Sequence, residues 1–404
     1  MQTGLIIAAL RKHRLATLLI AMEIALACAV LCNAIFMLTQ KGRALNLDSG
    51  IAESSLGIVQ LSGFDAAQAA DLNARVTGAL HAIPGVTSVG IISAVPFGEP
   101  GVRAGVHTDE SGKVFGGVLD FYLGDAAAIQ ALDLKLLAGR LPDAAEYAPI
   151  GQYVPANAPI LVTRQLAERY WPGEPAVGHS LWSMDSRFTV IGVVEHLAVS
   201  QPGGGEALGN DWSVLMPAKP GPQLAGRYLV RAAPGALPRV MADAQRAVAA
   251  VAPDVVFDQA ASRTVAELRA GYFHGGRLMM ALLAGVIVAL LGATALGIVG
   301  LVSYWVEQRR RQIGIRRALG ATRRDILRYF QLENFLVVSL GVVAGALLAY
   351  AFNLGLMRFY ELPRLPLAYL PVSALALWLL GQVAVLAPAL RASSIMPVQA
   401  IRST

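Results

Sequence analysis

The sequence predicts an α-helical membrane protein with four transmembrane helices plus an α+β extracytoplasmic domain, the latter a split βαβ repeat with an inserted α+β subdomain. Three observations predict it. Of 404 residues, 55% are hydrophobic and only 15% charged, against about 25% charged in a soluble domain. The apolar residues gather into four runs long enough to cross a bilayer, which takes about 20 residues. Between the first and second runs, residues 41–277 read strand, helix, strand at both ends.

The first span runs from Leu15 to Leu38, interrupted by Glu23 and Asn33. Arg11, Lys12 and Arg14 before it suit a signal peptide. The apolar run, however, exceeds the roughly 7–15 residues of such a segment and no small-residue cleavage site follows. Leu26-Ala27-Cys28 resembles a lipoprotein cleavage site, yet the run continues past the cysteine. An uncleaved anchor is expected. The second span, Leu278–Trp305, holds no charged residue; the third is Phe335–Phe352 and the fourth about Leu365–Leu386. Pro371 falls near the start of the fourth, where a helix has unpaired N–H groups in any case.

Lys and Arg counts beside the spans set the orientation. Residues 1–14 hold three and the tail 389–404 holds Arg391 and Arg402. Segment 305–330 holds eight arginines: 309, 310, 311, 316, 317, 323, 324 and 328. The link from Asn353 to Arg364 holds only Arg358 and Arg364. Both termini and the 305–330 loop are therefore expected in the cytoplasm, with 41–277 outside. The resulting divisions are 1–40 (N-terminus and first helix), 41–277, 278–305, 306–325 (inner loop), 326–352, 365–387 and 388–404 (tail). The inner segments carry 13 basic and 2 acidic residues, the rest 20 and 25. The net charge of +6 thus marks the inner face and does not point to nucleic acid.

In the outer segment, Ser55–Leu61 is β-rich, Ala66–His81 has helical periodicity and Val86–Ser93 is again β-like. The pattern returns as Arg227–Arg231, Pro238–Val251 and Val255–Asp258. A proline follows each helix, at Pro84 and Pro253, because the residue before proline is disfavoured in the α region. The βαβ halves are about 55–95 and 227–258, and the insertion about 96–226. Within it, Ile160-Leu161-Val162 leads to Thr163 as a candidate N-cap. The helix then ends near Tyr170 at Trp171-Pro172-Gly173, and Phe188–Val194 reads as a buried strand.

No catalytic or metal-binding residue emerges. The six histidines (13, 81, 107, 179, 196, 274) are scattered, and H-E-x-x-H, G-x-S-x-G and a phosphate-binding G-x-x-x-x-G-K-[ST] loop are all missing. Two cysteines, Cys28 and Cys32, make no disulfide framework. Binding or force transmission is expected instead of chemistry.

Polar and small residues in the spans carry the remaining expectations. Glu23 should face the helix bundle or snorkel inward, since an ionised carboxylate is costly at mid-bilayer. Glu333, at the inner end of the third span, should pack against an arginine. Ala21, Ala25, Cys28 and Cys32 form a small-residue stripe, and Gly292 and Gly297, with Ala293 and Gly300, give the second span a similar face. Such stripes permit close helix approach, and together they are predicted to make a dimer seam.

The inner loop is the most informative segment: Glu307-Gln308-Arg309-Arg310-Arg311-Gln312-Ile313-Gly314-Ile315-Arg316-Arg317-Ala318-Leu319-Gly320-Ala321-Thr322. It predicts a short basic helix with Ile315, Ala318 and Leu319 at helical spacing, a left-handed stop at Gly320 and a capping signal in Thr322 and Asp325. The loop resembles the cytoplasmic loop of FtsX/MacB-like ABC transporter permeases, roughly E-R-x-x-E-I-G-x-x-R-A-[LI]-G-A-[ST]. The tail Pro397-Val398-Gln399-Ala400-Ile401-Arg402 is similar to that family's P-V-E-A-L-R. Tyr170-Trp171-Pro172-Gly173-Glu174 and Ile191-Gly192-Val193-Val194 resemble its macrolide-exporter periplasmic core. Gln312 and Gln399 depart from the family's glutamates.

The resemblance implies an inner-membrane permease subunit with a periplasmic domain, not itself an enzyme. It would pair with a second permease copy or a similar permease and with a separate cytosolic ABC ATPase. ATP and magnesium belong in that partner, and a periplasmic adaptor and outer-membrane channel are further implied partners. Glu307, Arg310, Gln312, Ile313, Gly314, Arg316, Arg317, Ala318, Leu319 and Gly320 would form the ATPase-coupling loop. The second span, about 42 Å long at 1.5 Å per residue, would act as a stalk. Alternatives within the resemblance are a lipoprotein-releasing permease and an FtsX-like signalling module controlling a cell-wall hydrolase.

Overall fold

A computed structural model describes residues 14–150, 157–184, 186–203, 209–360 and 365–394. The tail motif 397–402 with Gln399, and the flanking Arg11, Lys12 and Arg364, lie outside the described residues. The chain divides into an α+β unit, Ala44–Gly275, and a helical unit formed by the residues on either side of it.

The first helix, α1, spans Arg14–Leu45. The α+β unit then builds two sheets. The smaller uses β1 (Leu56–Ser62), β2 (Val86–Ile91), β11 (Arg227–Ala232) and β12 (Val256–Phe257), in the order β12-β1-β11-β2. Every neighbouring pair is antiparallel, with Leu56 opposite Arg231 and Tyr228 opposite Ile91. Helix α2 (Ala69–His81) links β1 to β2 and turns Leu72, Asn73, Val76 and Leu80 into the core. The α3 helix (Ala126–Leu132) starts on Asp125, whose side chain caps the Ala128 N–H at 2.8 Å. It crosses β2 so closely that a Cβ on Gly90 would lie 2.1 Å from the Ala128 nitrogen.

The insertion is largely β. Its strands are β3 (Val102–His107), β4 (Phe115–Gly124), β5 (Leu136–Gly139), β6 (Ala148–Pro149), β7 (Asn157–Thr163), β8 (Ser180–Ser183), β9 (Ser186–Val194) and β10 (Ser213–Lys219). The order β4-β3-β8-β9-β7-β10 is closed by a parallel β10–β4 pairing, so six strands form a ring. Leu119, Phe121, Ile160, Val162, Phe188, Val190, Val214 and Met216 belong to its buried core. The short α4 helix (Arg164–Tyr170) follows β7, with Thr163 at its N-cap position. Thr163 does not cap it as expected: its hydroxyl donates to the Asp211 carbonyl on the neighbouring segment.

The second linking helix, α5 (Leu237–Val251), buries Leu237, Val240, Ala244 and Val248, spaced three and four apart as an amphipathic helix requires. A capping box at Thr264 and Glu267 opens α6 (Val265–Tyr272). Arg269 of α6 donates to the Leu45 and Leu47 carbonyls and to Glu53, the last at 2.6 Å. Its guanidinium also lies 5.0 Å from the Phe97 ring centroid.

In the α+β unit, His196 links Asp211 through Nδ1 and the Asp48 carbonyl through Nε2. The Asp211 hydrogen bond holds its pKa above the ordinary 6.5. Stability from a raised histidine is fully present below 6.5 and is lost as pH rises through the higher folded value. The protection that His196 gives residues 195–199 from hydrogen exchange, relative to His196→Gln and corrected for intrinsic rates, is therefore expected to be largest near pH 6. It should decline toward alkaline pH; a pH-independent difference would contradict this.

The helical unit continues with α7 (His274–Gln308), α8 (Arg310–Ala318), α9 (Arg323–Tyr360) and α10 (Tyr369–Ser393). Among the described residues, four helices, α1 and α9 and α10 together with the continuous stretch from α6 through α7, are long and apolar enough to cross a membrane. Each is longer than its apolar run, because helical hydrogen bonding continues into the flanking polar turns. Pro371 sits in the first turn of α10.

Candidate functional site: the short basic helix and its anchor

The site begins where α7 ends. The last turns of α7 bury Ile298, Val302, Trp305 and Val306, a three- and four-residue spacing that directs one face inward. Helical geometry is interrupted at Arg309, with φ −102° and ψ 8°, and α8 follows at once. Only Ile313 and Gly314 of α8 are buried. Arg310, Arg311, Gln312, Ile315, Arg316, Ala318 and Leu319 are exposed. Leu319, at 83%, and Ile315, at 45%, place an apolar tip among arginines. Glu307 is also exposed and meets Arg310 at 3.4 Å.

Gly320 ends α8 at φ +97°, a conformation open to glycine at little cost. The Gly320 N–H donates to the Arg317 carbonyl and the Ala321 N–H to that of Arg316, the paired bonds of a Schellman stop. Thr322 then starts α9: its N–H donates to Asp325 at 2.9 Å, and the Asp325 N–H donates back to its hydroxyl at 3.2 Å. These reciprocal bonds satisfy otherwise orphaned donors. Both ends of the α8–α9 turn are thus fixed by local chemistry.

Beneath α8 lies an ion pair. Arg309 Nη1 donates to both oxygens of Glu333, each at 2.9 Å, and approaches the Tyr329 hydroxyl at 3.3 Å. The Glu333 side chain is 1% exposed and that of Arg309 11%. The Arg309 guanidinium lies 5.6 Å from the Trp305 ring centroid, and that of Arg316 lies 5.2 Å from the Tyr329 ring centroid. Glu333 therefore packs against an arginine, and that arginine is Arg309, which the charge pattern alone did not separate from its neighbours. Its place at the R of the E-R-x-x-E-I-G pattern was the available signal.

The intramembrane residues are partly rearranged from expectation. Glu23 faces the bundle, its carboxylate against Gly297 of α7; a Cβ on Gly297 would meet the oxygens at 2.7 and 2.9 Å. The stripe Ala21, Ala25, Cys28 and Cys32 is buried within this chain. A Cβ on Gly341 would lie 2.8 Å from the Ala21 carbonyl, and one on Gly345 would lie 2.5 Å from the Ala25 carbonyl and from the Cys28 Cβ. Cys32 Sγ is 2.6 Å from the Ser373 hydroxyl. The stripe is thus spent on α9 and α10 of the same chain, which corrects its assignment to a dimer seam: close-packing glycines on α9 compete for the same small residues. On α7, Gly292 is open, with no atom of the described residues near enough to touch an added Cβ.

Comparison with known proteins places this architecture. Residues 17–266 match the family model of the MacB-like periplasmic core domain, and residues 282–397 that of the FtsX-like permease C-terminal domain. The chain is 36% identical over 124 residues to the macrolide export ATP-binding/permease protein MacB of Bradyrhizobium diazoefficiens, covering 30% of this chain and 19% of that protein. It is 32% identical over 122 residues to the uncharacterized ABC transporter permease YvrN of Bacillus subtilis, covering 30% of each. The chain thus spans less than a third of the length of these relatives. Among solved structures, the periplasmic region of MacB from Actinobacillus actinomycetemcomitans aligns at 14% identity and a TM-score of 0.33, over 52% of this chain and 90% of that one. The extracellular domain of the noncanonic ABC-type transporter YknZ from Gram-positive bacteria aligns at 11% identity and 0.32, over 51% and 100%. Matched along most of its length by these two family models, the chain belongs to the MacB-like and FtsX-like family of ABC transporter permeases.

Proposed function

We propose that this chain is the permease subunit of a MacB-type ABC system, in which a separate cytosolic subunit hydrolyses ATP and α8 is the segment that docks with it. The observation that carries this reading is the two-sided character of α8. Its inner side is pinned by Ile313, Gly314 and the buried Arg309–Glu333 pair, while arginines surround the exposed Ile315 and Leu319. An apolar centre with a polar rim is the usual anatomy of a protein interface, and a pinned base lets the docked helix pass displacement on. Magnesium and ATP would act in the partner, and this chain would carry out no catalysis. Its termini and α8 would face the cytoplasm, with α7 as a stalk toward a periplasmic unit built from two interlocked βαβ halves.

A second copy of the chain, or a similar permease, would complete the transporter, and the nucleotide cycle would drive export of a substrate on the periplasmic side. An adaptor and outer-membrane channel would extend that route. The test is purification of the full chain from its native membrane. The wild type is expected to carry a vanadate-sensitive ATPase subunit, and Arg316→Glu with Arg317→Glu to retain at least tenfold less of it. A wild-type chain that captures no ATPase, or a double variant that captures as much, overturns the reading.

A further inference from the structure

We propose that Arg309 and Glu333 form a sliding charge contact that transmits displacement of α8 to α9, making Arg309 a positioning residue of the coupling apparatus. The proposal rests on the docking reading above and adds a device beneath it. Arg309 is the N-cap residue of α8 and its N–H still donates to the Trp305 carbonyl of α7 at 3.0 Å. It therefore belongs to the joint between the two helices. Glu333 is embedded in α9. A shift of the start of α8 against α9 must move this contact or break it, whatever the Gly320–Thr322 turn does at the other end of α8.

Breaking it is costly, because both side chains are almost wholly buried and an uncompensated charge in such a place is strongly unfavourable. The geometry offers another course. Only Nη1 of the guanidinium holds Glu333, although an arginine commonly grips a carboxylate with two nitrogens in a parallel fork. Arg309 Nη2 is buried with no hydrogen-bond partner among the described residues, and so is the nearby Trp305 Nε1. Buried donors without acceptors are rare and call for an explanation. A second seat for the carboxylate supplies one. When α8 moves, Glu333 passes from Nη1 toward Nη2, so the pair stays charged and hydrogen-bonded while the helices change register. A lysine at 309 would keep the charge but present a point cation without the planar fork.

The experiment uses the full chain in lipid nanodiscs, alone and with its captured ATPase, and reads hydrogen exchange in residues 310–322 and 323–340. In the isolated chain, Arg309→Lys is expected to protect α8 within twofold of wild type, whereas Glu333→Gln raises exchange there at least tenfold. In the complex, vanadate trapping is expected to change exchange across 323–340 in the wild type. That response should fall at least fivefold in Arg309→Lys, with ATPase capture unchanged. A full trapping response in Arg309→Lys overturns the sliding contact, as does unaltered α8 exchange in Glu333→Gln. If the wild type captures no ATPase, the docking reading fails separately, and the isolated-chain measurement still decides whether the pair tethers α8.

Discussion

Glu333→Ala is expected to destabilise the helical unit by about 3–5 kcal/mol, because it strands the buried Arg309 cation without its counter-charge. Thermal unfolding in detergent, with the wild type alongside, reads this as a large fall in midpoint. The contrasting variant is Arg309→Met with Glu333→Leu, which removes both charges and fills the space with apolar atoms. It should recover most of the loss, since replacing a buried pair by packed hydrophobic residues is often neutral or stabilising. Recovery would mean that the pair is not retained for stability. A double variant as unstable as Glu333→Ala would mean that it is. The outer unit has its own core, so its unfolding should be unaffected in both variants.

Gly345→Leu is expected to part α1 from α9. An added Cβ at 345 would lie 2.5 Å from the Ala25 carbonyl oxygen and from the Cys28 Cβ. The first of these is backbone, which cannot rotate away. Overpacking of this kind costs about 1–3 kcal/mol even where side chains can yield. The readout lies in the same interface: Cys28 and Cys32 are both fully buried, so maleimide labelling should be at least tenfold faster in the variant. Gly285→Leu is the control, because none of the described residues lies near enough to touch an added Cβ there, and labelling should match wild type. Equal labelling in Gly345→Leu would refute the α1–α9 packing.

Much of the helical unit was legible because its determinants are local. Length and apolarity marked the spans, and Gly320, Thr322 and Asp325 marked the α8–α9 turn through interactions reaching only three to five residues. The partners of the small-residue stripe were not legible. Three of the membrane helices carry small residues at helical spacing, and spacing does not say which pair of stripes meets. Gly341 and Gly345 carry no local signal, because the third span reads as an ordinary apolar run. Arg309 stood among three successive arginines, and only its place at the joint between α7 and α8 singles it out as the partner of Glu333. In the α+β unit the strands flanking α2 and α5 showed through β-rich composition and proline punctuation. The closed ring of the insertion did not, because it depends on β10 meeting β4 across roughly ninety residues. Thr163 satisfied the pattern of an N-cap, but a carbonyl on a distant segment offered its hydroxyl another acceptor.

The Arg269 clip has an evolutionary consequence. One guanidinium holds the carbonyls of Leu45 and Leu47, where the chain arrives in the α+β unit, and sits on α6, just before it departs. A domain whose two ends are already fastened together can be inserted into a host chain with little disturbance, since closely spaced termini favour such insertions. The clip is made by residues of the unit itself, so it would travel with the unit. A helical frame of this kind can therefore accept the whole α+β unit as one insertion, without its own helices being rebuilt.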